Sequence, residues 1–292
     1  MVAPGCGRCT YVMTKTAANQ PLYLVTGATG KTGSRVAALL DAAGHAVRRG
    51  SRTAEIPFDW TDRDTWGPAL AGVDAIYLAF QPDLAVPGAP DTIRAFAAAA
   101  RAGGVGSVVL LSGRGEPEAL ECEAAVRESG LAWTVVRCSF FAQNFSESAF
   151  VGDVLAGVVA LPNGDVPEPF VHADDIAEVA VAALTDASHA GEVYELTGPR
   201  ALTFAEGVAE VAEATGREIA FVPLTRPEFV TALGELGLPG PEIALLDYLF
   251  GTVLDGRNSA PADGVQRALG RAPRDFTQYA KEAAATGVWT PQ

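Results

Sequence analysis

Lysine is scarce in this chain: among 292 residues only Lys15, Lys31 and Lys281 occur. The sole Tyr-x-x-x-Lys spacing runs from Tyr11 to Lys15, ahead of the first expected strand. A tyrosine acid whose pKa is lowered by a neighbouring lysine therefore has no place in the body of the sequence. Histidine is equally sparse. His45, His172 and His189 stand apart from acidic or thiol clusters at ligand spacing, so no metal site is expected. The four cysteines make no disulfide framework: Cys6 and Cys9 fall in the opening segment, and Cys122 and Cys138 fall deep in the helix-and-strand pattern. No apolar run reaches the ~18 residues of a membrane span, because glycine, proline or charge interrupts each one. Residues 1–20 carry no signal-peptide pattern and read as a disordered tail on a cytoplasmic protein. Basic charge is in deficit too. A net charge of −14 argues against nucleic acid or an anionic membrane as partner. It is compatible with a small-molecule substrate, a cationic one included, and leaves a homo-oligomer open.

What the chain does have is glycine at a telling spacing. LYLVTGATGKTGSRVAALL, Leu22 to Leu40, passes from a short apolar run through Gly27, Gly30 and Gly33 to Val36, Leu39 and Leu40 at helical spacing. This reads as strand, tight turn and helix. Gly27 turns the chain, Gly30 lets the backbone approach a pyrophosphate, and Gly33 lets the helix pack on the strand. The free N–H groups of the new helix then face the phosphates. Gly27, Thr29, Gly30, Lys31, Thr32 and Gly33 are thus the first candidate cofactor contacts. Their spacing is Gly-x-x-Gly-x-x-Gly, not the commoner Gly-x-Gly-x-x-Gly.

A second strand begins at Ala46-Val47 and ends in Arg48-Arg49-Gly50-Ser51-Arg52, with no acid before Glu55. In a dinucleotide-binding fold this position meets the adenosine ribose. The hydroxyl of Ser51 and the guanidinium of Arg52 suit a 2′-phosphate, so NADP(H) is favoured over NAD(H). A solvated basic turn is the alternative. Residues 56–60 are expected as a third strand, with Asp59 and Trp60 near the adenine. Asp59 bonds its amino group there or caps the following helix. The apolar run VDAIYLAF, residues 73–80, is a fourth strand leading to Phe80 and Gln81 on the nicotinamide-ribose side. Helix 91–101, strand 107–111 ending in Ser112, helix 117–129 and strand 132–137 follow. Such alternation means an α/β fold, a doubly wound parallel Rossmann sheet. Past Phe150 the alternation weakens. A helix runs to Leu184 with Asp174 or Asp175 as its cap, a strand covers 192–196, and Thr203 to Glu206 reads as a capping box. The expected division is a tail 1–20, a Rossmann domain 21–157 and a smaller, mostly helical substrate-binding region 158–292. Within the latter, 170–200 partly returns to the sheet.

Three runs resemble the NmrA-like branch of the atypical short-chain dehydrogenase/reductase superfamily: TGATGKTG (26–33), SVVLLSG (107–113) and ESGLAWTVVRCSFFAQNF (128–145). The last matches the family pattern at Ser129, Gly130, Leu131, Trp133, Thr134, Arg137, Phe141 and Asn144, with Cys138 where the family has proline. GKTGSRVAALL, the GSR turn, PFDW and AIYLAFQP are similar to the clavine-type, festuclavine synthase-like iminium reductases of ergot alkaloid pathways. The resemblance is good over 21–198 and thin beyond. It implies a Rossmann domain, NADP(H) and reduction of a small C=N substrate.

The missing Tyr–Lys pair narrows the chemistry. A ketone becomes an alkoxide on hydride transfer and needs an acid, whereas an iminium becomes a neutral amine and needs mainly positioning. Ser112 is a candidate to orient substrate or carboxamide, Glu123 to stabilise a cation, and Tyr248 to donate from the opposite wall. Each also has a plain structural reading: a turn hydroxyl, a solvated helix face, core packing. The expected function is an NAD(P)H-dependent reductase of a small iminium or activated double bond in secondary metabolism. A non-catalytic NADP sensor and a redox-neutral cyclase or isomerase are the alternatives.

Overall fold

The computed structural model describes residues 20–148 and 150–291. The expectations placed on residues 1–19, with Cys6, Cys9, Tyr11 and Lys15, lie outside the described residues. The chain runs β1 (Leu22–Thr26), α1 (Lys31–Ala42), β2 (Ala46–Gly50), α2 (Trp66–Leu70), β3 (Ala75–Leu78), α3 (Ala89–Ala102), β4 (Ser107–Gly113), α4 (Pro117–Arg127) and β5 (Ala132–Cys138). It continues with α5 (Asn144–Glu147), α6 (Val151–Ala156), β6 (Val158–Leu161), α7 (Ala173–Thr185), β7 (Val193–Leu196), α8 (Phe204–Thr215) and β8 (Ala220–Pro223). Helices α9 (Arg226–Glu235), α10 (Gly240–Tyr248), α11 (Gly264–Leu269) and α12 (Phe276–Ala285) complete it.

Six strands form one sheet in the order β2-β1-β3-β4-β5-β7, every neighbouring pair parallel. Alternate side chains of a strand face opposite sides. Leu24, Ile76, Leu78, Val108 and Leu110 accordingly pack with the apolar residues of α2, α3 and α4. Tyr23, Val25, Tyr77, Val109 and Val136 pack with α1 and α7. The chain leaves β1 towards β2 and β3 towards β4, in opposite directions along the sheet, so a crevice opens between the two connections.

Beyond the sheet lies a third core built on phenylalanine: Phe145, Phe150, Phe170, Phe204, Phe250 and Phe276 are all buried together. Each buried ring contributes about 2 kcal/mol of transfer free energy, enough to hold the C-terminal helices over the strand ends. A two-stranded parallel pair, β6 with β8, belongs to this cap and was not anticipated from the sequence.

Two further expectations are corrected. Residues 56–60 are not a strand; the one bridge there joins Asp59 to Asp62. Pro57 has no N–H for a ladder, and Phe58 and Trp60 turn into an aromatic cluster with Trp66 and Phe96. The sheet therefore ends at β2. Helix α7 is capped not by Asp174 or Asp175 but by His172, whose Nδ1 accepts the N–H of Asp174 at 3.1 Å. The capping box at Thr203 and Glu206 is present.

Candidate active site

A cleft of about 540 Å³ opens at the carboxyl ends of β1, β3, β4 and β5. Its base is the glycine turn. Gly27 has φ +61°, and a Cβ on Gly33 would stand 2.2 Å from the carbonyl oxygen of Gly27. Only glycine at position 33 lets α1 lie this close to the turn. The N–H of Gly30 donates to that same carbonyl at 2.9 Å. Thr26 Oγ1 accepts the N–H of Ala79 at 2.8 Å, fastening the end of β1 to the segment after β3. Helix α1 begins at Gly30 with no side-chain cap and no acidic residue in its first turn. Its first N–H groups and its positive end remain available to an anion. Lys31 stands at the same place, its pKa lowered by burial against an opposing pull from Glu147. Arg35 fixes α1 in this position by donating to Glu147 at 2.9 Å and Asp174 at 2.6 Å. The bare helix start, the cradle that a Cβ would fill and the lysine fit the pyrophosphate of a dinucleotide.

Of the expected cofactor contacts, Gly27, Thr29, Gly30, Lys31, Thr32, Phe80, Gln81 and Ser112 line this cleft. Gly33 lies behind the turn. Ser51, Arg52, Asp59 and Trp60 are off its wall, in the segment after β2. Arg48 donates to the carbonyls of Ala69 and Ala71 at 2.9 and 2.6 Å, and Arg49 pairs with Asp41. Arg52 is exposed and, among the described residues, is the one arginine of that turn left without a bonded acceptor. Asp59 Oδ1 accepts the N–H and the hydroxyl of Thr61, both at 2.8 Å. It does not cap the next helical turn, which Asp62 does. The Trp60 ring packs 4.8 to 5.0 Å from Phe58, Phe96 and Phe80.

Of the three catalytic candidates, Ser112 alone lines the cleft, but its hydroxyl donates to Glu123 Oε1 at 2.8 Å. Glu123 is 1% exposed, off the cleft wall. Arg137 grips it through two N–H groups at 2.8 and 2.6 Å, and Arg127 adds a third at 2.9 Å. A carboxylate so neutralised offers nothing to a substrate cation; it braces β4, α4 and β5. Tyr248 donates its hydroxyl to Glu118 at 2.7 Å. Burial first, and Glu118 second, push its pKa up, which makes it a poorer acid. Its neighbours Leu249 and Val253 reach the cleft in its place.

Sequence reasoning missed the acids that do line the cleft: Asp83, Glu116, Glu147 and Glu168. Glu168, 2% exposed, accepts, among the described residues, only the N–H of Phe140 at 3.3 Å; burial pushes its pKa up to about 7. Glu116 is 9% exposed and has Asp83 near it on the cleft wall. Burial and then Asp83 push its pKa up to about 8. The signal was faint. Glu116 precedes Pro117 and Glu168 sits between Pro167 and Pro169, contexts that read as helix start and loop.

Comparison with known proteins fits this geometry. Residues 27–187 match the NAD(P)H-binding family model, more than half of the chain and the whole of the glycine turn. The chain belongs to the NAD(P)H-binding family. Within it, the chain is 36% identical over 283 residues to a (4-alkanoyl-5-oxo-2,5-dihydrofuran-3-yl)methyl phosphate reductase of Streptomyces griseus, covering 90% of this chain and 98% of that one. It is 32% identical to an agroclavine dehydrogenase of Claviceps fusiformis, covering 89% and 96%. The Citrobacter triphenylmethane reductase solved with NADP(H) shares the fold, with TM-score 0.71 at 20% identity over 90% and 99% of the two chains. The expected NmrA-like and clavine-type likeness is thus found, and this family member is an oxidoreductase. Its cofactor, a nicotinamide dinucleotide, supplies hydride. Gly27 to Thr32 are the residues that would hold its pyrophosphate, and Gln81, Ser112 and the β5 end line the rest of the cleft. Among the described residues no group of three or more His, Cys, Asp or Glu is placed to hold a metal, and no helix is long and apolar enough to cross a membrane.

Proposed function

We propose that the protein is an NADPH-dependent reductase of a small organic substrate, an iminium or an activated double bond, acting in secondary metabolism without a Tyr–Lys pair. The carrying observation is the cleft itself. It runs from the glycine turn to a wall that carries Asp83, Glu116 and Glu168 and has a volume of about 540 Å³. The cleft continues past the glycine turn to Phe140, Phe141, Leu249 and Val253, which offers a substrate a place beyond the cofactor and supports turnover over the regulatory reading. The helix after β4, where a Tyr–Lys pair would stand, begins with Glu116 and holds neither tyrosine nor lysine. The acidic lining suits a cationic substrate. The names of the relatives support both substrate types: an alkaloid dehydrogenase on one side, and on the other a reductase of an unsaturated lactone phosphate. The preference for NADPH rests on Arg52, exposed and unengaged where a 2′-phosphate is expected.

The test is NADPH oxidation followed by absorbance with a panel of cyclic iminium ions, conjugated lactones and enones. The account expects acceptor-dependent oxidation by the purified protein. Binding of NADPH with no turnover on any acceptor would return the sensor reading to first place.

A further inference from the structure

The reductase reading leaves open how a neutral substrate gains its second hydrogen, and the cleft wall answers that. Asp83, in the loop after β3, and Glu116, in the loop after β4, both line the cleft, close enough that the Asp83 charge raises the pKa of Glu116. Two carboxyl groups held near each other on a partly buried wall resist ionising together, so one proton is retained between them. The rest of the surroundings agree. Asp83 accepts the N–H of Ala85 at 2.8 Å. Glu116 is nine-tenths buried, and among the described residues no N–H and no other hydroxyl donates to its side chain.

The charged and titratable groups around the pair are Glu118 and Cys122 from α4 and Tyr248 from α10. None is a cation. The guanidinium groups of the surrounding segments are engaged elsewhere: Arg94, which acts on Cys122, donates to Asp91. Arg114 donates to Glu195 and to the carbonyls of Asn258 and Ala260, and Arg257 to Asp255 and the carbonyl of Gly115. The carboxyl is also well placed. A Cβ on Gly113 would meet Glu116 Oε1 at 2.0 Å, so the acid is folded back onto the end of β4, one residue past Ser112.

We propose that Glu116, sharing one proton with Asp83, is the catalytic acid that protonates the α-carbon of an activated carbon–carbon double bond. This rests on the reductase reading and narrows its substrate class to conjugated carbonyl compounds. The β-carbon accepts a hydride from the reduced nicotinamide, and the π pair moves to the α-carbon. That carbon forms its new C–H bond with the Glu116 proton as the O–H bond breaks. The product is the saturated carbonyl compound. The pair, left doubly ionised, is unstable in its burial and regains a proton from solvent. An iminium would use the same hydride without the acid, so an acid kept protonated near neutral pH marks the alkene reaction. Such tuning of a carboxyl by burial and a like-charged partner is the known route to a carboxylic acid that donates at pH 7.

The experiment uses the full chain with cyclohexenone and an N-methyl dihydroisoquinolinium as probes, in wild type, Glu116→Gln and Asp83→Asn. Three quantities are followed: steady-state rates against pH, NADPH affinity by calorimetry, and the infrared band of protonated carboxyl groups without cofactor. Wild type is expected to reduce cyclohexenone with a rate that falls as pH rises through about 8. Glu116→Gln loses kcat on it by roughly 100-fold or more, keeps its NADPH affinity, and loses the carboxyl band that titrates in that range. Asp83→Asn keeps a donor but moves the alkaline limb to lower pH, because the like charge is gone. Cyclohexenone turnover by Glu116→Gln at the wild-type rate and pH profile overturns the assignment. So does an unchanged carboxyl band, or a wild type that reduces the iminium alone. A wild type that binds NADPH and reduces neither probe defeats the reductase reading as well, which separates the two failures.

Discussion

Single residues decide what the cleft can hold, and Gly33 is the sharpest case. Its missing Cβ leaves room for the carbonyl of Gly27, a backbone atom that cannot swing away. Gly33→Ala should therefore push α1 off the turn. We expect a loss of at least about 2 kcal/mol of stability in urea unfolding and no measurable NADPH binding by calorimetry. This role was legible in the sequence, because close approach of backbone to backbone can be met by glycine alone. The roles of Glu123 and Tyr248 were not. Whether a carboxylate is a cation's partner depends on what surrounds it in space, and Arg137, which neutralises Glu123 of α4, lies 14 positions away on β5. The acids of the cleft were hidden for the same reason. Glu116, Asp83 and Glu168 come from three separate loops, and no spacing joins them.

At the scale of elements, hydrophobic periodicity located the six main-sheet strands and the helices between them to within a few residues. It failed at 56–60, where alternating apolar residues serve an aromatic cluster. It also overlooked β6 and β8, which pair only because the Phe-rich core brings them together. The cap of α7 shows how a local rule can be outcompeted: acids stand at Asp174 and Asp175, yet buried His172 takes the capping position. That cap is sensitive to pH. Its Nδ1 must be unprotonated to accept a hydrogen bond, and burial lowers the His172 pKa below its usual value against the opposing pull of Asp174. A base with a lowered pKa contributes stability that is present above its unfolded pKa, near 6.5, and is lost as pH falls towards the folded value. Denaturation followed from about pH 7 downwards should show this loss. In His172→Asn, which can still cap, the loss attributable to this site should disappear, with stability at neutral pH within about 1 kcal/mol of wild type.

At the scale of the molecule, a parallel sheet places its loops so that a crevice forms where the connections leaving β1 and β3 diverge, and the C-terminal cap overhangs that crevice with Leu249 and Val253. The sheet was readable from strand and helix alternation because each βαβ unit is local in sequence. The cap was not, since its core joins Phe145 to Phe276 across half the chain. The account as a whole depends on the amino-terminal cradle holding a phosphorylated dinucleotide with its 2′-phosphate against Arg52. The most direct measurement is a calorimetric titration of the wild type and Arg52→Ala with NADPH and with NADH. Loss of one charge-assisted contact should weaken NADPH by roughly 10- to 100-fold and leave NADH almost unchanged. Equal weakening of both nucleotides, or no heat of binding with either in the wild type, would contradict it.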